Sequence, residues 1–195
     1  MSKKTLSKIS YILIFFLIAL MALLFVSCTP NNEDYSDVIS KEYQPASVEI
    51  IEKDKYDNIA IKLNENRDIK VLQLTDIHFG NGSMSVKKDR KAIEAVCKLI
   101  ENATPDLIIL TGDVVYPHSA FTGSSDNLSA LKIIINIMES YKTPWTMCFG
   151  NHDAEYLADY GKSTLCDLLE DEQYKYCIFK RGPENIGGLG NQVIN

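Results

Sequence analysis

The chain has 195 residues, with 20 Lys and Arg against 26 Asp and Glu, and is 46% hydrophobic and 24% charged. These proportions are those of an ordinary globular protein and exclude collagen-like, low-complexity and disordered classes. Residues 1–27 carry three Lys and no acid, so 17 basic residues face 26 acidic ones in the remainder, a balance ill suited to a nucleic acid as main partner.

Lys3, Lys4 and Lys8 precede an unbroken apolar run from Tyr11 to Val26. A run of that length lies between the core of a signal peptide, about 7–15 residues, and a spanning helix of about 20. Ser27 and Cys28 end it, and residues 29–40 contain no Lys or Arg to act as a stop-transfer cluster. The stretch Leu24-Phe25-Val26-Ser27-Cys28 resembles a bacterial lipobox. That resemblance implies that residues 1–27 are a lipoprotein-type signal peptide and that Cys28 is lipidated. An uncleaved membrane anchor is the alternative. Either places the body outside the cytoplasm, tethered to a membrane of the cell envelope. Residues 28–46 are polar, include Pro30 and Pro45 and have no apolar period, which predicts a flexible tether.

From residue 47 the chain alternates strand and helix patterns. Short strands are predicted at Val48–Glu52 and Asn58–Leu63, then a strand at Ile69–Thr75 that ends on Asp76-Ile77-His78. Ala92, Ile93, Val96, Leu99, Ile100 and Ala103 recur at helical spacing within Lys88–Ala103. Leu107–Thr111 is an apolar run of buried-strand length, ending on Gly112-Asp113. A helix from about Asn127 to Tyr141, capped by Ser125 or Asp126, leads to a strand over Trp145–Phe149 that ends on Gly150-Asn151-His152-Asp153. A short helix near Ser163–Glu170, a strand near Tyr176–Lys180 and a turn to β at Gln192–Ile194 complete the pattern. Cys97 and Cys148 fall in apolar segments and read as buried hydrophobes, while the spacing of Cys166 and Cys177 leaves a bridge open. Tyr116 reads as loop packing and His118 as a surface loop residue.

Such alternation implies right-handed crossovers and a mostly parallel sheet whose strands end on one edge. Three successive strands end in Asp76 and His78, in Asp113, and in Asn151, His152 and Asp153. Ligand sites in open α/β sheets form outside these carboxyl ends. A carboxylate and an imidazole two residues apart can grip one cation, and Asp113 has two oxygens with which to bridge it to a second. Asn151 adds a hard neutral donor. Two such ions clamp the attacking and leaving oxygens of a phosphoryl displacement. His152, beside Asp153, is left to meet the substrate as an acid or charge stabiliser.

In this order on successive strands, Asp76-x-His78, Gly112-Asp113 and Gly150-Asn151-His152-Asp153 resemble the calcineurin-like metallophosphoesterases, as do Leu72–Thr75, Pro105–Leu107 and Leu110-Thr111. The resemblance runs from about residue 69 to the C-terminus. It implies a four-layer α/β/β/α sandwich with a dinuclear metal site that hydrolyses phosphomonoesters or phosphodiesters. It assigns Asp76 and His78 to the first metal, Asp113 to the bridge, Asn151 to the second metal, and catalysis to His152; Asp153 reads either as a catalytic residue that orients His152 or as a capping one. The ions it implies are divalent or trivalent, of the Mn, Fe, Zn or Mg kind. The family completes its site with further histidines, and no His follows His152. Residues 47–195 are therefore expected to be the N-terminal portion of such a domain, inefficient as a phosphatase, or else a non-catalytic lipoprotein module.

Overall fold

The structure is a computed structural model that describes residues 11–18, 31, 33–51, 58–64 and 66–195. Cys28, the expected lipidation site, lies outside the described residues, as does the second half of the apolar run before it. Residues 11–18 are helical and exposed. Among the described residues, no helix is long and apolar enough to cross a membrane.

The fold is mixed α/β, built on a parallel sheet of three strands: β3 (Val71–Leu74), β4 (Leu107–Leu110) and β5 (Trp145–Met147), in that order. Val71 pairs with Leu107, Leu74 with Leu110 and Leu110 with Met147, so the three strands end level at one edge. Helix α1 (Val86–Ala103) connects β3 to β4, and α3 (Asn127–Ser140) connects β4 to β5. Between β4 and α3 stands α2 (Ser119–Thr122), a single turn, and α4 (Lys162–Leu169) follows β5. Neighbouring strands in chain order joined by right-handed crossovers bring their helices to one face of the sheet.

Strand alternation sorts the core into two layers. Ile108 and Leu110 of β4 face the helices, where they pack with Ile93 and Ile100 of α1, Ile134 and Met138 of α3, and Leu165 of α4. Leu107 and Ile109 face the other way. There they meet the antiparallel hairpin of β1 (Val48–Ile51) and β2 (Ala60–Leu63) through Ile59, Ile50 and Ile61. The chain returns to this hairpin at its end. Ile194 bridges Ile59 in parallel, and Asn195 exchanges backbone hydrogen bonds with Ile59 and Ile61.

Three expectations need correction. Residues 176–180 do not extend into a strand. Cys177 makes an isolated bridge with Trp145, held by two backbone hydrogen bonds, because β5 is only three residues long and offers little more to pair with. Cys148 is exposed rather than buried, standing just past the end of β5; all four described cysteines are free, so Cys166 and Cys177 do not pair. The described part of the expected tether lies against the body instead of free of it. Tyr35 is 3% exposed and packs edge-on to Phe79, with ring centroids 5.7 Å apart. The Asn31 N–H donates to the Asn81 carbonyl at 2.8 Å, Arg90 pairs with Asp37 and Glu33, and Tyr43 packs edge-on to Tyr141. Tyr35 and Tyr43 anchor this segment together with Val38 and Ile39, and apolar residues so spaced leave no periodic signal.

Two buried carboxylates shape the loops at the sheet edge. Asp89 of α1, 2% exposed, accepts the N–H groups of Gly80 and Asn81 and the hydroxyl of Ser85, which fastens the loop after β3. Asp153, 0% exposed, accepts four backbone N–H groups: Asp113 at 3.0 Å, Val114 at 2.8 Å, Val115 at 3.0 Å and Gly150 at 2.7 Å. It thereby ties the loop after β4 to the loop after β5. Leaving a buried donor unpaired costs about 1–3 kcal/mol. Asp153→Ala strands four of them and is expected to lower unfolding free energy by at least ~3 kcal/mol. Asp153→Asn, which keeps one acceptor oxygen, should lose less. Urea unfolding of the two variants beside the parent chain measures both.

Candidate metal centre

The site lies just past the carboxyl ends of β3, β4 and β5. Asp76, His78 and Asp113 all stand in the left-handed region, at φ of 54°, 52° and 51°. For residues other than Gly this conformation costs about 1–2 kcal/mol each, and such residues gather where function requires them. Backbone hydrogen bonds continue the pairing past the strands and hold them there. Asp76 N–H donates to Gly112 at 3.1 Å, His78 N–H to Asp113 at 3.0 Å and Phe79 N–H to Val114 at 3.0 Å. Glycine is required where the loops touch. A Cβ on Gly150 would stand 2.1 Å from Asp113 Oδ1, and one on Gly112, itself at φ 98°, 2.7 Å from the Gly150 nitrogen.

These constraints bring side chains from all three loops together. One ligand atom from each of His78, Asp113 and His152 lies within 4.8 Å of the other two. His78 Nε2 is 3.9 Å from Asp113 Oδ2 and 3.5 Å from Asp76 Oδ1. Asp76 is exposed, and the hydroxyl of Thr75, donating at 2.6 Å, holds its carboxyl below the ordinary range. Asn151 is exposed on the loop that leads into His152. Asp113 Oδ1 accepts the His152 N–H at 2.9 Å, so one carboxylate faces His78 with one oxygen and fixes the third loop with the other.

A cluster of two imidazoles and a carboxylate is a hard N/O donor set that suits a divalent cation, and Asp76 stands within reach of the same His78 nitrogen. The residues fit one ion on that count. A second would rest on Asp113 and Asn151.

Of the two roles open to Asp153, orienting His152 or capping, its hydrogen bonds fit the second. Its carboxylate is spent on the four N–H groups described above, and burial pushes it above the ordinary carboxylate range against their pull. Its role is to position the loops. The carboxylate that touches the imidazole is Glu155, whose Oε2 lies 2.9 Å from His152 Nδ1 and whose Oε1 is buried without a hydrogen-bond partner among the described residues. Sequence reasoning missed Glu155, although an acid three residues after a catalytic-type histidine, in a turn, was a usable signal. Tyr116 and His118 also join the site more closely than expected. Tyr116 packs edge-on to His152 with centroids 4.9 Å apart and lies 5.4 Å from His78, and His118 is 5.7 Å beyond Tyr116.

Comparison with known proteins agrees with this geometry. The family model of the calcineurin-like phosphoesterases matches residues 69–193. A probable inactive purple acid phosphatase of Arabidopsis thaliana is 28% identical over 59% of the chain and 34% of its own length. The phosphatase DCR2 of Saccharomyces cerevisiae is 29% identical over 64% of the chain and 23% of its own length. A probable cyclic nucleotide phosphodiesterase of Xenorhabdus bovienii is 30% identical over 60% of the chain and 44% of its own length. The chain thus spans less than half of each of these relatives. No solved structure matches at a significant level. The matched residues include all three loops of the metal centre, and the chain belongs to the calcineurin-like phosphoesterase family.

Proposed function

We propose that this chain carries the metal-binding loops of a phosphoesterase that hydrolyses phosphomonoesters or phosphodiesters, tethered to the cell envelope through Cys28. The observation that supports it most is the convergence of His78, Asp113 and His152 from three separate strand ends. Asp76, His78 and Asp113 would hold the first ion, and Asp113 with Asn151 the second. The chemistry that ions bound there supply is Lewis-acid polarisation of the phosphoryl oxygens.

The chain's own residues do the rest. Asp113 orients two loops at once, through His78 on one side and the His152 N–H on the other. Glu155 accepts the Nδ1–H of His152 and so fixes which ring nitrogen faces the reaction, the arrangement a general acid needs to protonate a leaving oxygen. Asp113 and Asn151 give the second ion two donors from these loops, a set that holds an ion weakly by itself. The second reading is a membrane-tethered module that binds metal or a partner without catalysis. It gains support from a relative whose name describes it as probably inactive.

Calorimetric titration of the full chain with Mn is expected to show binding. Asp113→Asn and Gly150→Ala should each weaken it by tenfold or more, the first by removing a ligand oxygen and the second by pushing the same carboxylate aside. Hydrolysis of a generic aryl phosphate should stay near the buffer rate. Turnover well above it that disappears in Asp113→Asn would show that this chain is itself a competent enzyme. For the tether, metabolic labelling with palmitate should mark the parent and not Cys28→Ala, and the variant should leave the membrane fraction.

A further inference from the structure

The rings at the metal centre do not stop at His152. His152, Tyr116, His118 and Phe121 form a continuous strip, with successive centroids 4.9, 5.7 and 4.5 Å apart. The inner end touches the metal group and the outer end is open, since Phe121 is 63% exposed.

A loose loop does not explain that exposure. The turn α2 that carries Phe121 is tied down on both sides. Thr122 Oγ1 donates to the carbonyls of His118 at 3.0 Å and Ser124 at 3.1 Å, and the Thr122 carbonyl accepts the Met84 N–H at 2.9 Å. The loop after β3 presses so closely on this turn that a Cβ on Gly82 would stand 2.0 Å from the Thr122 carbonyl oxygen. The backbone is therefore fixed, and it holds a Phe ring in water beside a polar site. His118 adds a second unexplained feature: its Nδ1 is buried and has no hydrogen-bond partner among the described residues. That nitrogen is sealed from solvent, so His118 can meet a ligand through its ring rather than through Nδ1.

We propose that Tyr116, His118 and Phe121 form a stacking wall for a planar aromatic ring in the leaving group of a phosphoester bound at the metal centre. This deepens the phosphoesterase reading and rests on it. Aromatic faces accept any flat ring, because stacking needs a π-face rather than a particular hydrogen-bond pattern. A ring borne directly on the phosphoryl group meets Tyr116 first. A nucleobase, held off by its sugar, reaches the rings of His118 and Phe121.

The test is calorimetric binding of three phosphonates to the full chain in mild detergent with Mn present: methylphosphonate, phenylphosphonate and a phosphonate analogue of adenosine monophosphate. The wall predicts that at least one ring-bearing ligand binds more tightly than methylphosphonate. If the phenyl ligand alone gains, the source is a simple aryl ester, and if the adenosine ligand gains most, it is a nucleotide. Phe121→Ala, which removes an exposed side chain, should weaken the adenosine ligand roughly tenfold, the order a stacked base contributes, and leave methylphosphonate unchanged. His118→Ala should lower affinity for the same ligand. Should all three bind equally, or should Phe121→Ala weaken methylphosphonate as much as the ring ligands, the wall is refuted while the phosphoesterase reading stands. Absence of any Mn-dependent phosphonate binding would overturn both.

Discussion

The carboxylate of Asp153 is the interaction on which the site depends. It is sealed from water, and its two oxygens accept N–H groups from Asp113, Val114, Val115 and Gly150. The first three begin the loop after β4 and the last begins the loop after β5, so a single buried charge sets the distance between them. Dense N–H donation is what makes a buried carboxylate tolerable, since each bond replaces one it would have made to water. Asp113 then hands the constraint onward. One of its oxygens holds the His152 backbone, and the other faces His78 across the cluster.

The loop after β3 is fixed by the same device with different residues. Asp89, one turn into α1, collects the N–H groups of Gly80 and Asn81. Backbone bonds from Asp76, His78 and Phe79 to the neighbouring loop then stitch the two together. The strained left-handed backbone at Asp76, His78 and Asp113 persists because these contacts over-determine it. Metal donors borne on loops are in this way held almost as firmly as if they stood on strands. The requirement for Gly at 112 and 150 follows from the same crowding, because the two loops touch backbone to backbone.

Much of this was legible in the sequence, and the reasons are specific. The order of Asp76 and His78, Gly112-Asp113 and Gly150–Asp153 at the ends of apolar runs pointed to one edge of a parallel sheet. The sheet and its two crossover helices stand where those patterns put them. Asp153 stood between two roles because sequence adjacency to His152 says nothing about direction, and neighbouring side chains in a tight loop face opposite ways. Glu155 escaped notice because its partnership with His152 arises from the turn, not from a motif. The packing of residues 33–46 was hidden for another reason. Tyr35, Val38, Ile39 and Tyr43 are scattered apolar residues in a polar stretch, and the rings that receive the two tyrosines, Phe79 and Tyr141, are far away in the chain. His118 looked like an ordinary loop residue because ring-to-ring contact along 116–121 depends on the fold of one short turn.

Loops pinned by Asp153 thus present Asp76, His78 and Asp113 to one metal ion, with His152 beside it. Anomalous diffraction from crystals of the full chain grown with Mn tests it most directly. The expected result is a peak bonded to Asp76, His78 and Asp113, with His152 beside it and the Asp153 carboxylate still bound to the four N–H groups. A peak coordinated by other residues, or no peak among these three loops at saturating Mn, would contradict it.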